Sequence, residues 1–159
     1  KATRQSGGPR TLAWIVLGWT LPTIIYGALV AGLDAGATYN TFPLMGGRLI
    51  PADILSLDPW LLNFGENVAA VQFTHRVLAI ALVALVLVLW FRARSAARTV
   101  ARSADFLAGA AIVQLGLGVA TLLTKAALPL AVAHQSCALL VFTAAVMTVH
   151  ALGKPGASP

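Results

Sequence analysis

The sequence predicts an all-α integral membrane protein, an up-down bundle of four transmembrane helices. Three observations carry that prediction. Hydrophobic residues make up 58% of the chain and charged residues only 10%, against roughly 25% charged in a soluble domain. Four apolar runs each approach the ~20 residues a helix needs to cross a bilayer. Charges of opposite sign collect in alternate connections between those runs.

Residues 1–11 form a polar tail with Lys1, Arg4 and Arg10, and Gly7, Gly8 and Pro9 give it the composition of a linker. The first residue is Lys and no signal-peptide pattern precedes the first span. The expectation is therefore a piece of a longer protein whose missing part lies N-terminal. The first span covers 12–33 and contains Pro22. Within a membrane a proline kinks a helix more often than it ends it, because neighbours satisfy the freed carbonyl. The loop 34–67 is rich in turn formers, among them Pro43, Gly46, Gly47, Pro51, Pro59 and Gly65. Loops of this length often cover or bind, and 52–64 is expected to hold a short interfacial segment anchored by Trp60. The remaining spans are 68–91, 104–124 and 128–152, and a tail over 153–159 carries Lys154. All four spans are apolar on every face, as helices facing lipid or one another must be.

The charges orient this bundle. Arg92, Arg94, Arg98 and Arg102 sit between the second and third spans, whereas the loop 34–67 holds Asp34, Asp53, Asp58 and Glu66 against Arg48 alone. Basic connections stay on the cytoplasmic side, so both termini are expected there and the long loop outside. The net charge of +6 is thus a topology signal. It points to the lipid bilayer as partner and to no nucleic acid, with the Arg-rich connection drawn to anionic lipid. The single cysteine, Cys137, permits no internal disulfide and reads as a small packing residue.

Ionisable groups inside spans are costly and mark function by default. Here they are His75 and Arg76 in the second span and His134 in the fourth. His75 lies roughly 10 Å along its helix and His134 roughly 9 Å along its own, at about 1.5 Å per residue. Both helices start at the outer face, so the imidazoles share one layer. In an up-down bundle the second and fourth helices are diagonal, roughly 11–14 Å apart. Two imidazoles reaching across that gap leave room for one metal held in a flat macrocycle, and axial His ligation is common in haem proteins. Ala79, Ala131 and Ala138 keep the histidines' flanks small. The alternative is a pair of packing histidines bonded to neighbouring carbonyls. Arg76 has two readings, a haem propionate contact or a residue that snorkels outward or pairs with Glu66. Gln72, Gln114 and Gln135 read as interhelical hydrogen-bonders, and His150 as an interfacial residue.

The strings GALVAGLDAGATYNTFPLMGG, IPADIL, NFGENVAAVQFTHRVLA, QLGLGVATLL and PLAVAHQSCALL resemble the second half of the haem A synthase family. The resemblance covers about 12–152. It implies one half of an eight-helix protein built from two four-helix repeats, with haem b held between His75 in VQFTHR and His134 in AHQS. It implies an oxidoreductase that oxidises the C8 methyl of haem O to a formyl, giving haem A for cytochrome oxidase. Expected partners are the N-terminal half of the same protein, haem O synthase and an electron donor. The expected membrane is the bacterial plasma (inner) membrane, or the mitochondrial inner membrane in a eukaryote. The substrate haem site and catalytic carboxylate of the family belong to the first half, so no catalytic residue is assigned here. Glu66 and Asn67 match the EN of the motif and read as local structure near the haem edge. Two rival classes remain at this stage, a stand-alone membrane b-type cytochrome and a non-enzymatic assembly or transport bundle.

Overall fold

The computed structural model describes residues 7–153; the tail residues Lys1, Arg4 and Lys154 lie outside them. Four long helices dominate, α1 (Gly7–Gly32), α3 (Val68–Ala93), α4 (Arg98–Leu123) and α5 (Leu128–Gly153), each of 26 residues. At about 1.5 Å per residue each is roughly 39 Å long, more than a hydrocarbon core. All four are apolar enough to cross a membrane. The four-residue helix α2 (Ala35–Thr38) and a 3₁₀ turn (Trp60–Phe64) lie in the long loop. Among the described residues there is no strand, only an isolated bridge between Met45 and Arg48. Large apolar side chains such as Ile25, Ile80, Phe91, Ile112 and Leu139 point outward, which suits a helix surface solvated by lipid.

Around the bundle the order is α1, α3, α4, α5; α3 and α5 are diagonal and share no close backbone contact. The helices run further than their apolar stretches. α4 starts at Arg98, with Ala97 as its N-cap, so Arg98 and Arg102 lie in its first turns and not in a loop. Helical hydrogen bonding needs no apolar side chain, and a hydropathy reading loses the helix where charges begin. The helical residues of α1 ahead of its apolar run, from Gly7 on, have the same cause.

The end of the bundle carrying the described termini is braced. Trp90 Nε1 donates to Asp105 Oδ1 at 2.7 Å across α3 and α4, and the Arg94 guanidinium lies 5.0 Å over the Trp90 ring. In this half all four long helices bury side chains against one another. Ala13 and Val16, Leu82, Val86 and Leu89, Leu107, Ala108 and Ala111, and Val141, Ala144 and Ala145 form one buried cluster. A second, of Ala93, Val100, Ala104 and Ala151, closes the end. Toward the loop end burial narrows to α3, whose Ala69, Ala70, Val71 and Gln72 are buried, whereas α1 buries nothing after Thr23, α4 nothing after Ala111, and α5 nothing before Cys137.

The loop is held by buried asparagines. Asn67 caps α3, its Oδ1 accepting from Ala69 N at 2.9 Å and Ala70 N at 3.1 Å. Its Nδ2 donates to Asp53 O at 2.8 Å and Asn63 Oδ1 at 2.7 Å. Asn63, fully buried, in turn donates to Leu57 O and Trp60 O. The expected interfacial segment is the 3₁₀ turn, where Trp60 and Phe64 pack edge to face at 5.7 Å and both stay exposed. Gly46 and Gly47, with φ of 58° and 80°, make the tight turn between Met45 and Arg48, a conformation that favours residues without Cβ.

Candidate functional site

α3 and α5 begin at Val68 and Leu128, where the sequence predicts them, so His75 and His134 stand at matched depth in the loop half. They lie on the diagonal helices α3 and α5. Each ring rests against a glycine of the helix that precedes it. A Cβ built on Gly27 of α1 would sit 3.1 Å from His75 Cε1, and one on Gly118 of α4 would sit 2.9 Å from His134 Cε1. Small residues were visible in both helices, but which of them faces a histidine was not. The shared spacing, Thr23 to Gly27 and Gln114 to Gly118, is the signal that could have found them.

His75 Nδ1 lies 3.2 Å from the Thr23 carbonyl oxygen. A carbonyl only accepts, so Nδ1 carries the proton and Nε2 keeps its lone pair. Metal-ligating histidines commonly carry such an outer-shell partner. His134 Nδ1 is buried and has no hydrogen-bond partner, and the same holds for Gln114 Oε1, Thr121 Oγ1 and Arg76 Nε. Orphaned buried polar atoms call for a specific explanation, a missing ligand among them.

Arg76 is spent on the loop and not on Glu66 or the lipid surface. Its Nη1 donates to Thr41 O at 2.8 Å, and its Nη2 donates to Tyr39 O at 2.9 Å and to Gln72 Oε1 at 3.2 Å. Gln72, buried, donates from Nε2 to Ala35 O at 2.9 Å and Tyr39 O at 3.1 Å. It therefore ties α2 to α3, a helix-to-helix role as expected. Gln135 is exposed, and His150 lies exposed at the terminal end beside a groove of about 460 Å³ that it lines with Arg10 and Trp14. Cys137 is a buried packing residue whose thiol lies 3.8 Å from Ala110 O.

These residues fit a haem better than a bare ion. Among the described residues no three His, Cys, Asp or Glu cluster to hold a metal. A metal that brings four in-plane donors needs only two axial ligands, and two imidazoles on diagonal helices can supply them. The glycine cradles, the preset Nδ1 bond of His75, the orphaned His134 Nδ1 and the loss of burial on α1, α4 and α5 are all found in the loop half.

The family model described as "Cytochrome oxidase assembly protein", COX15-CtaA, matches residues 1–146. The chain belongs to the COX15-CtaA family. Its relatives include a heme A synthase of Rhodospirillum centenum, 47% identical over 94% of the chain and 41% of the relative. Another is the heme A synthase COX15 of Bos taurus, 43% identical over 96% of the chain and 37% of the relative. The chain thus spans about two fifths of the length of the curated relatives it matches. No solved structure matches it.

Proposed function

We propose that this chain is the haem-b-binding C-terminal half of a haem A synthase, the oxidoreductase that converts the C8 methyl of haem O to a formyl. The observation that carries the reading is the histidine pair on diagonal helices, each ring set against a glycine, in the half of the bundle where α1, α4 and α5 bury no side chain. Family membership and the names of the relatives support the enzyme class. His75 and His134 would be the axial ligands. Bound there, the haem would supply one-electron transfer. Thr23 orients the His75 ring through its carbonyl, and Gly27 and Gly118 keep the space each ring occupies.

Arg76 lies next to His75 with both terminal nitrogens on loop carbonyls and its Nε uncommitted. We assign it the propionate edge of the haem, reached from Nε while the Nη groups hold the loop. The substrate haem and the catalytic residues fall to the N-terminal half of the same protein. Haem O synthase as supplier and a separate electron donor complete the expected partners. The positive-inside distribution supports a bacterial plasma (inner) membrane, or mitochondrial inner membrane, orientation with both termini on the inner side.

The test is a reduced-minus-oxidised spectrum of the detergent-purified chain with pyridine extraction. A low-spin b-type spectrum near one haem per chain is expected, and His134→Ala should remove its bis-histidine character. A folded, helical chain that stays colourless after haem is supplied would overturn the reading.

A further inference from the structure

The two histidines are framed alike and finished differently. α1 and α4 present the same register, a residue whose main chain lies beside the ring and, four residues on, a glycine against Cε1. These are Thr23 and Gly27 for His75, and Gln114 and Gly118 for His134. On α1 the carbonyl is used, at 3.2 Å from Nδ1. On α4 the Gln114 main chain stands beside the His134 ring in the same way, but buried Nδ1 falls short of the geometry of a formed hydrogen bond. The rest of that α4 face is unfinished too. Gln114 and Thr121 share it with Gly118, at helical spacings of i, i+4 and i+7, and both end in a buried oxygen without a partner. Their α1 counterparts are satisfied or apolar. Thr23 Oγ1 donates to Trp19 O at 2.8 Å, and the other counterpart is Val30.

We infer that the axial ligands are unequal: His75 is the fixed ligand and His134 the displaceable one, with Gln114 and Gly118 as positioning residues for the His134 ring. This rests on the haem reading above. An acceptor at Nδ1 fixes the tautomer and ring plane and raises the basicity of Nε2, and losing such a partner typically costs 10–100-fold in metal affinity. His75 has that bond before any ligand arrives. His134 must turn to find the Gln114 carbonyl or ligate without one, and the polar atoms of Gln114 and Thr121 beside it can take up a small polar molecule. Small neutral iron ligands such as imidazole should therefore enter on the His134 side.

The experiment compares His134→Gly with His75→Gly in the haem-loaded chain. His134→Gly is expected to keep b-type haem with a five-coordinate, high-spin spectrum, and added imidazole to restore the low-spin form. His75→Gly is expected to retain at least about tenfold less haem. Equal losses, or the opposite ranking, overturn the inference. Because a glycine at either position can also unfold the bundle, a second measurement keeps both histidines. Imidazole is titrated against the ferric wild type, Gly118→Ala and Gly27→Ala. The added methyl of Gly118→Ala pushes the unanchored ring, so imidazole should bind about tenfold more tightly, while Gly27→Ala stays within about twofold of wild type. Equal shifts in the two variants overturn it as well. A folded wild-type chain that takes up no haem overturns the haem reading itself, so the two failures are distinguishable.

Discussion

The two halves of this bundle use the same four helices for opposite ends. In the terminal half, Leu89 and Leu107 are almost fully buried and small partners such as Ala144 let the backbones close around them. In the loop half only α3 among the long helices stays buried, through Ala69, Ala70, Val71 and Gln72, and α4 beyond Ala111 buries nothing. Membrane helices gain no hydrophobic energy by leaving lipid, so packing contacts decide where they close. A bundle that closes tightly at one end can hold the other end open at fixed separation. The comparison separates the shared core of the four helices from the candidate site, so each is expected to be perturbed without the other.

The largest effect should come from filling the open half. Ala138→Trp is expected to abolish haem absorption while leaving thermal unfolding of the haem-free chain nearly unchanged, read by circular dichroism in detergent. Equal loss of fold and haem would break the division. The reciprocal change is Leu89→Ala in the packed half. It should destabilise by roughly 2–5 kcal/mol through the cavity it leaves, with haem stoichiometry unchanged at temperatures where the chain stays folded.

Next in size is the loop's polar centre. Asn67→Ala removes a helix cap and strands Asn63 Oδ1 without one of its donors, for a cost of about 2 kcal/mol. Asn67→Asp keeps the cap but not the Nδ2 donor, so it should recover part of that cost; equilibrium unfolding measures both. Arg76→Lys follows, since an ammonium cannot reproduce the fork that spans Thr41 and Tyr39 carbonyls. Faster limited proteolysis within 39–44, with the bundle intact, is the expected readout.

The smallest effect is a pH dependence of the loop. Tyr39 donates its hydroxyl to Asp53 Oδ1 at 2.6 Å. That bond, with burial and the carboxylate charge, holds the Tyr39 hydroxyl above its usual value of 10.0. A raised folded value means that the stabilisation is complete below the unfolded value and is lost as pH rises through the folded one. Loop proteolysis should therefore accelerate only well above pH 10, and Tyr39→Phe should remove that alkaline step.

Much of this was legible in the residues. Apolar run length predicted four spans, and the starts at Val68 and Leu128 were readable because the apolar runs begin there. The matched depth of His75 and His134 followed from counting residues at a fixed rise. The starts of α1 and α4 were not readable from hydropathy, because interfacial turns such as Arg98 to Arg102 are helical and charged together. The loop contacts of Arg76 were not readable because its partners are carbonyls of Tyr39 and Thr41, and main-chain acceptors leave no mark on residue type.

The sequence by itself determined the class of molecule, the number of spans and the layer in which the histidines stand, because hydrophobic length and helical rise are properties of single segments. Only the tertiary structure decided which glycine faces which ring, that the Thr23 carbonyl bonds His75 while the Gln114 main chain only approaches His134, and that α1, α4 and α5 bury side chains in one half of the bundle and not in the other. Those facts depend on the rotation of each helix about its axis relative to its neighbours. In a helix apolar all round no amphipathic stripe records that rotation, and it is set only when the four surfaces pack together.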